Sequence, residues 1–163
     1  NGTYYYSKNI KSSWADKVAN VRWNLGGNNS AAVTALNMYN AERGTLHISN
    51  SSDGITRTNT WDGKIALMYP SDYGYTSIDT TCRSKLSLTN CKNENWLFNS
   101  ATQWTLSPSS DYASIVYAVT SGGDVRVNAG VSNVVGVRPT LFLKSDVVIN
   151  SGTGTSNDPF VLM

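Results

Sequence analysis

A chain of 163 residues, 40% hydrophobic and 15% charged, is long enough to bury its own core, and a single domain over residues 1–163 is the expectation. Its net charge of +2 comes from scattered Lys and Arg, too weak for a nucleic-acid footprint, and no apolar run reaches the ~18 residues of a membrane span. Asn, Ser, Thr, Gly and Tyr carry the polarity, which favours short strands and turns with helix in the minority. With no signal segment and Asn1 at its start, the chain reads as a mature or excised piece.

In chain order, Ile10, Trp14 and Val18 fall four apart, as on one face of a short helix, and ANVRWNL then alternates like a strand ending at Gly26 and Gly27. NNSAAVTALNMYNAERG predicts a second helix, with Ser30 as N-cap, Val33, Leu36, Met38 and Tyr39 along it, and Gly44 at its C-terminus. Polar turns are expected at Asn50 to Gly54 and at Asp62 and Gly63. A buried strand follows from Lys64 to Tyr69, stopped by Pro70.

Cys82 and Cys91 enclose a polar loop. A local disulfide is expected over two free thiols, worth about 2–3 kcal/mol for so short a loop, pinning the loop rather than holding the fold. It implies an oxidising, exported setting. Beyond Trp96, Leu97 and Phe98 comes a strand around Trp104. YASIVYAVT, SGGD and VRVNA then predict a hairpin, with Gly122 and Gly123 suited to its turn. Val137 to Leu143 forms a strand, Pro139 marking an edge, a bulge or its beginning. The tail gives a short strand, a Gly and Thr turn and a last strand. The sum is α+β: two short helices early, then a meandering, mostly antiparallel sheet with long loops.

Residues that carry chemistry are sparse. His47 is the single histidine, at strand spacing, with no motif holding a nucleophile near it. Glu42 and Glu94 are the only glutamates, and nothing selects a catalytic pair among them and the nine aspartates. NSSDG and TWDGK lack the ligand spacing of a calcium loop and read as Asx turns; GTGTS has no P-loop lysine. No metal site or cofactor is expected. Of five Trp, most are expected in the core. Tyr73, Tyr75, Tyr112 and Tyr117 lie among Ser, Asp and Gly, the composition of antibody binding loops, although ordinary strand tyrosines read the same way.

KIALMYPSDYGYTS, WLF, QWTLSP and GVRPTLFLKSDVVINSGTGTSNDPFVL together resemble the C-terminal domains of bacterial surface proteins that often follow a type IV pilin-like helix in Gram-positive gut bacteria. The order WTLSP, hairpin, GVRPTLFL also resembles the C-type-lectin-like fold of formylglycine-generating-type domains and of the variable proteins of diversity-generating retroelements. The resemblance implies a sheet whose C-terminal portion presents a ligand-binding face. Carried over, it makes Trp104, Leu106, Gly136, Arg138 and Pro139 scaffold. The candidate face is Ser110, Asp111, Tyr112, Ser114, Tyr117, Asp124, Arg126, Asn128, Ser132 and Asn133.

The departures are plain. The calcium-dependent sugar motifs of true C-type lectins are absent, as are the paired active cysteines of formylglycine-generating enzymes and the pilin helix. The expectation is therefore an exported, non-enzymatic recognition or adhesion module at a cell surface or pilus-like fibre, binding an unknown protein or glycan without direct membrane contact. A ligand-free pilin-like structural subunit is the first alternative, a cell-wall or glycan hydrolase the second.

Overall fold

The computed structural model describes residues 8–28, 33–43, 58–93 and 95–163, the side chains of Asn128 and Ala129 excepted. Ser30, Gly44, His47, the turn from Asn50 to Gly54, and Glu94 lie outside the described residues. The architecture is α+β, running α1 (Ser12–Ala15), β1 (Val21–Asn24), α2 (Ala35–Glu42), β2 (Thr60–Gly63), β3 (Ile65–Leu67), α3 (Pro70–Thr76) and α4 (Thr80–Ser84). A 3-10 turn (Thr89–Lys92) leads to β4 (Gln103–Pro108), β5 (Ile115–Val119), β6 (Val125–Gly130), β7 (Pro139–Leu141), β8 (Ile149–Ser151) and β9 (Val161–Leu162). In place of one meandering sheet, the described strands form four small ones: β1 with β2, β3 with β7, β4–β5–β6, and β8 with β9. The chain divides into two compact units, one of Asn1–Val21, Asp62–Ile65 and Leu141–Met163, the other of Arg22–Trp61 and Ala66–Thr140.

The larger unit is organised by the β5–β6 hairpin. β5 pairs antiparallel with both neighbours, and its turn closes where the Thr120 N–H donates to the Asp124 carbonyl at 2.8 Å. Gly123 takes φ +91° there, the left-handed geometry that favours glycine. A Cβ at Gly123 would also stand 2.4 Å from Lys92 Cβ, so the hairpin turn lies against the 3-10 turn closer than any side chain allows.

Three helices differ from expectation: α4, where no helix is expected, and α2 and α3. α2 starts at Thr34, not Ser30: the Thr34 hydroxyl accepts the Asn37 N–H at 3.0 Å, and Arg43 is the C-cap residue. It buries Ala35, Met38, Ala41 and Glu42 while Leu36 and Tyr39 face solvent, so of the expected apolar stripe Met38 enters the core, Val33 ahead of the helix packs on it, and the other two turn out. α3 begins where the sequence reading only ends a strand, at Pro70. Pro70 ends β3's run, yet it also occupies the first helical position, where its fixed φ fits and its missing N–H costs nothing. The Tyr69 N–H donates to Asp72 Oδ2 at 2.9 Å, closing the first turn, and the Ser71 N–H donates to Glu42 Oε1 of α2 at 3.1 Å. At Gly74 a Cβ would meet Leu86 Cδ2 at 2.6 Å and Ala35 Cβ at 2.9 Å, so glycine lets α3 sit close to α2 and Leu86.

Cys82 and Cys91 form a disulfide with Cα atoms 5.5 Å apart. Contrary to the loop-pinning expectation, both are fully buried and pack with Met38, Met68, Tyr73, Leu86, Tyr117, Val119 and Val125. The cystine is part of the core. Most tryptophans are not: Trp23 is buried, Trp14 and Trp104 are half-buried, and Trp61 and Trp96 are exposed, because Met, Tyr and cystine fill the space expected of them.

In the smaller unit, Lys64 Nζ donates to the Ala15 carbonyl at 3.1 Å, and Val18 bridges Leu143. Asp62 and Gly63, expected in a turn, end β2 instead. β8 and β9 form an antiparallel ribbon whose turn uses positive φ at Gly152 and Gly154. Val148, Ile149, Phe160, Val161 and Met163 are all exposed on that ribbon and its flanks. Among the described residues no helix is long and apolar enough to cross a membrane.

Candidate functional site

The ten residues of the candidate face are spread along the β5–β6 hairpin: Asp124 and Arg126 toward its turn, Tyr117 and Asn128 within its strands, and the other six at its open end. At the turn end, Asp124 is buried, accepting from Thr120 Oγ1 on one oxygen and from Arg126 Nε on the other. Burial pushes its carboxyl upward, but the Thr120 and Arg126 bonds outweigh it and hold the pKa below the usual carboxylate value. Arg126 itself is exposed and paired with Asp124.

Tyr117 is wholly buried. Its hydroxyl donates to the Asn28 carbonyl at 3.2 Å, and its own carbonyl accepts from Thr105 Oγ1 at 2.6 Å. Burial, with a lesser contribution from the Asp111 charge, pushes the phenol well above its ordinary value. Tyr73 is buried likewise, pushed up to about 12 by burial and by Asp124, and donates to the Gly123 carbonyl at 2.8 Å. Tyr117, Asp124 and Ser110 are thus corrected from display to interior positions, as is Tyr73 among the candidate loop tyrosines. For Tyr117 the reason is strand alternation: it shares the inward face with Val119. Asn128 sits in β6 with its side chain outside the described residues.

The open end gathers the rest. Ser109 Oγ accepts the N–H groups of Asp111 at 3.1 Å and Tyr112 at 3.2 Å, and Tyr112's carbonyl accepts the Ile115 N–H at 3.3 Å, which fixes the loop entering β5. Ile115 pairs with Gly130, and the Val131 N–H donates to the Ser114 carbonyl at 3.0 Å, stitching this loop to the one leaving β6. The Asn133 N–H returns to the Gly130 carbonyl at 2.8 Å. Asp111, Tyr112, Ser114, Val131, Ser132, Asn133 and Val134 are all exposed on these two joined loops. Arg126 lies four residues before Gly130 along β6, about 13 Å away at strand spacing, and stands apart from them. Ser109 and Val131 were missed; an S-x-D turn signal at Ser109 to Asp111 was present in the sequence.

The scaffold residues are held together. The Trp104 N–H donates to the Gly136 carbonyl at 2.9 Å, the Gly136 N–H donates to the Thr102 carbonyl at 3.0 Å, and Arg138 Nε donates to Gln103 Oε1 at 3.3 Å. Pro139 begins β7, satisfying the strand-start alternative. Trp104 and Leu106 are half-buried, while Gln103, Thr105 and Ser107 between them are buried.

One further buried carboxylate stands elsewhere in this unit. Glu42 is closed to solvent, and burial, only partly offset by the bonds from Ser71 Oγ and N–H, raises its pKa from 4.5 to about 7. No group of three or more His, Cys, Asp or Glu among the described residues is placed to hold a metal ion. Compared with protein families, curated proteins and solved structures, the chain matches none.

Proposed function

We propose that this chain is an exported, non-enzymatic recognition module with a C-type-lectin-like fold, carried by a surface or pilus-like protein and binding a protein or glycan through the open end of its β5–β6 hairpin. The observation that carries this reading is the joined loop pair, in which Ser109 and the Val131-to-Ser114 bond immobilise backbone while Tyr112, Ser114, Ser132 and Asn133 point to solvent. A preformed loop carrying a rigid ring beside small hydrogen-bonding groups gives up little entropy on binding. The non-enzymatic part is supported by the two buried carboxylates being closed off and bonded within the protein, Glu42 to Ser71 and Asp124 to Thr120 and Arg126. The buried disulfide favours an oxidising compartment.

The test is a binding screen of the purified chain against glycan and surface-protein arrays, followed by Tyr112→Ala and Asn133→Ala on any hit. Each substitution is expected to weaken binding by about 1–2 kcal/mol with the fold unchanged. Undiminished binding in the double variant sinks this face. The structural-subunit reading is favoured by one observation, the exposed Val148, Ile149, Phe160, Val161 and Met163 of the β8–β9 ribbon. Concentration-dependent assembly in light scattering, lost on Ile149→Lys and kept on Tyr112→Ala, would support it.

A further inference from the structure

α2 and α3 turn outward a second surface of different chemistry, independent of the hairpin loops. Leu36, Tyr39 and Arg43 are spaced three and four residues apart, on one face of α2 and its C-cap. Leu36 is 58% exposed and Tyr39 41%, and Tyr75 of α3 is 44% exposed beside them. The Tyr39 and Tyr75 rings meet edge to face, their centroids 6.2 Å apart at 84°. The Arg43 guanidinium carbon lies 4.8 Å from the Tyr39 centroid and 5.1 Å from that of Tyr69. Tyr69 is buried, with its hydroxyl donating to the Asn24 carbonyl at 3.0 Å, so it is a fixed base beneath the cation.

Arg43 lies against rings and forms no salt bridge among the described residues. Its neighbour Glu42, whose charge it feels, turns its carboxylate inward to Ser71, and Asp72 bonds the Tyr69 N–H. Ring contacts hold a guanidinium in place without an acid, and its N–H fork matches a carboxylate with two parallel bonds. An arginine already held by two rings loses less side-chain entropy when the fork is taken. The flanks decide the partner. Exposed Leu36 and two ring edges offer apolar contact beside the cation, which suits a carboxylate carried next to an apolar side chain and not one ringed by hydroxyls.

We propose that Leu36, Tyr39, Tyr75 and Arg43 form a docking surface for an acidic protein segment, the Arg43 fork taking a carboxylate while an adjacent apolar side chain packs on Leu36 and the tyrosine rings. The experiment is an NMR titration of the whole isotope-labelled chain with the capped peptide Ser-Phe-Glu-Leu-Ser, its Gln counterpart, and a glucuronic-acid disaccharide. The Glu peptide is expected to shift the Arg43 Nε–H signal and the Tyr39 and Tyr75 resonances, and the Gln peptide to bind about tenfold more weakly. Arg43→Gln and Tyr75→Ala are each expected to weaken the Glu peptide about tenfold, and Arg43→Lys, which keeps the charge without the fork, several-fold. Should Arg43→Gln disturb the spectrum of the free chain, Arg43→Lys alone decides. Tyr112→Ala is expected to leave this binding unchanged, which separates it from the hairpin loops. An Arg43 signal that does not move, or equal response to both peptides, overturns the proposal. Response to the disaccharide alone overturns it too and assigns the fork to an acidic glycan.

Discussion

At the turn end of the β5–β6 hairpin, Thr120, Asp124 and the Gly123 backbone are bonded to one another and to Tyr73, against Lys92 of the 3-10 turn. At the open end, Ser109 to Ser114 and Val131 to Val134 bond their backbones together and leave most side chains to solvent. Both ends draw on Ser, Gly, Asp and Tyr or Thr. What separates them is the neighbour: a core containing a cystine covers one end, and β-strand alternation turns Tyr117 toward that core while Tyr112, in the loop before it, escapes. Composition marks residues that suit recognition, but whether they recognise a partner or the protein's own carbonyls depends on what packs beside them.

The largest expected contrast is between the two tyrosines. Tyr117→Ala empties a core site and is expected to cost about 3–5 kcal/mol in urea unfolding, whereas Tyr112→Ala should stay within about 0.5 kcal/mol. Equal costs would erase the distinction between the ends.

Next come the two buried carboxylates, whose effects on stability run in opposite directions with pH. Glu42's folded pKa is raised from 4.5 to about 7, so its contribution is fully present below pH 4.5 and is lost as pH rises through 7, on the order of 3 kcal/mol in all. Asp124's folded pKa is depressed, so its contribution is present above its ordinary 3.8 and is lost as pH falls through the folded value. Denaturant midpoints across pH should decline from pH 4.5 toward 7, with Glu42→Gln flattening that limb and Asp124→Asn flattening only the acid limb.

Opening the disulfide by Cys82→Ala with Cys91→Ala is expected to cost about 2–3 kcal/mol or more, the excess reflecting the cavity left in the core. Hydrogen exchange should quicken at Thr120 to Val125 and stay unchanged at Asp111 to Ser114; equal quickening would mean the ends are not separately supported. The smallest effect is at Ser107, whose buried Oγ has no hydrogen-bond partner among the described residues. Ser107→Ala should be neutral or stabilising by up to about 1 kcal/mol in thermal unfolding.

Local signals made part of this legible. Two glycines between apolar runs gave the β5–β6 hairpin, whereas Pro139 offered the start of β7 only as one of three alternatives within a strand read from Val137. α3 was illegible because Pro70, Gly74 and three polar residues look like a loop; its helix depends on Asp72 and Glu42 capping the first turn and on Gly74 clearing Leu86, contacts supplied by the tertiary fold. At the candidate site, Tyr117 sits inside the continuous apolar run Ile115 to Val119, a signal of a buried strand that weighs against display. Asp124 carried no such mark, since its burial depends on Lys92 and Tyr73 lying near the turn. The Arg43 surface was hidden for the same reason, as Tyr39 and Tyr75 are brought together only by α2 meeting α3.

β4 has a consequence for how the chain distinguishes its fold from near neighbours. Gln103, Thr105 and Ser107 face inward, while Trp104 and Leu106, the greasier pair, are half-buried. A slip of one residue would exchange the two sets and favour hydrophobic burial, yet it would strip the Leu97 carbonyl of Gln103, the Tyr117 carbonyl of Thr105, and Arg138 of its acceptor. Oil alone would set this strand the wrong way round; unmet hydrogen bonds are what forbid the slip, and replacing Gln103 or Thr105 with an apolar residue removes that safeguard even where it adds burial.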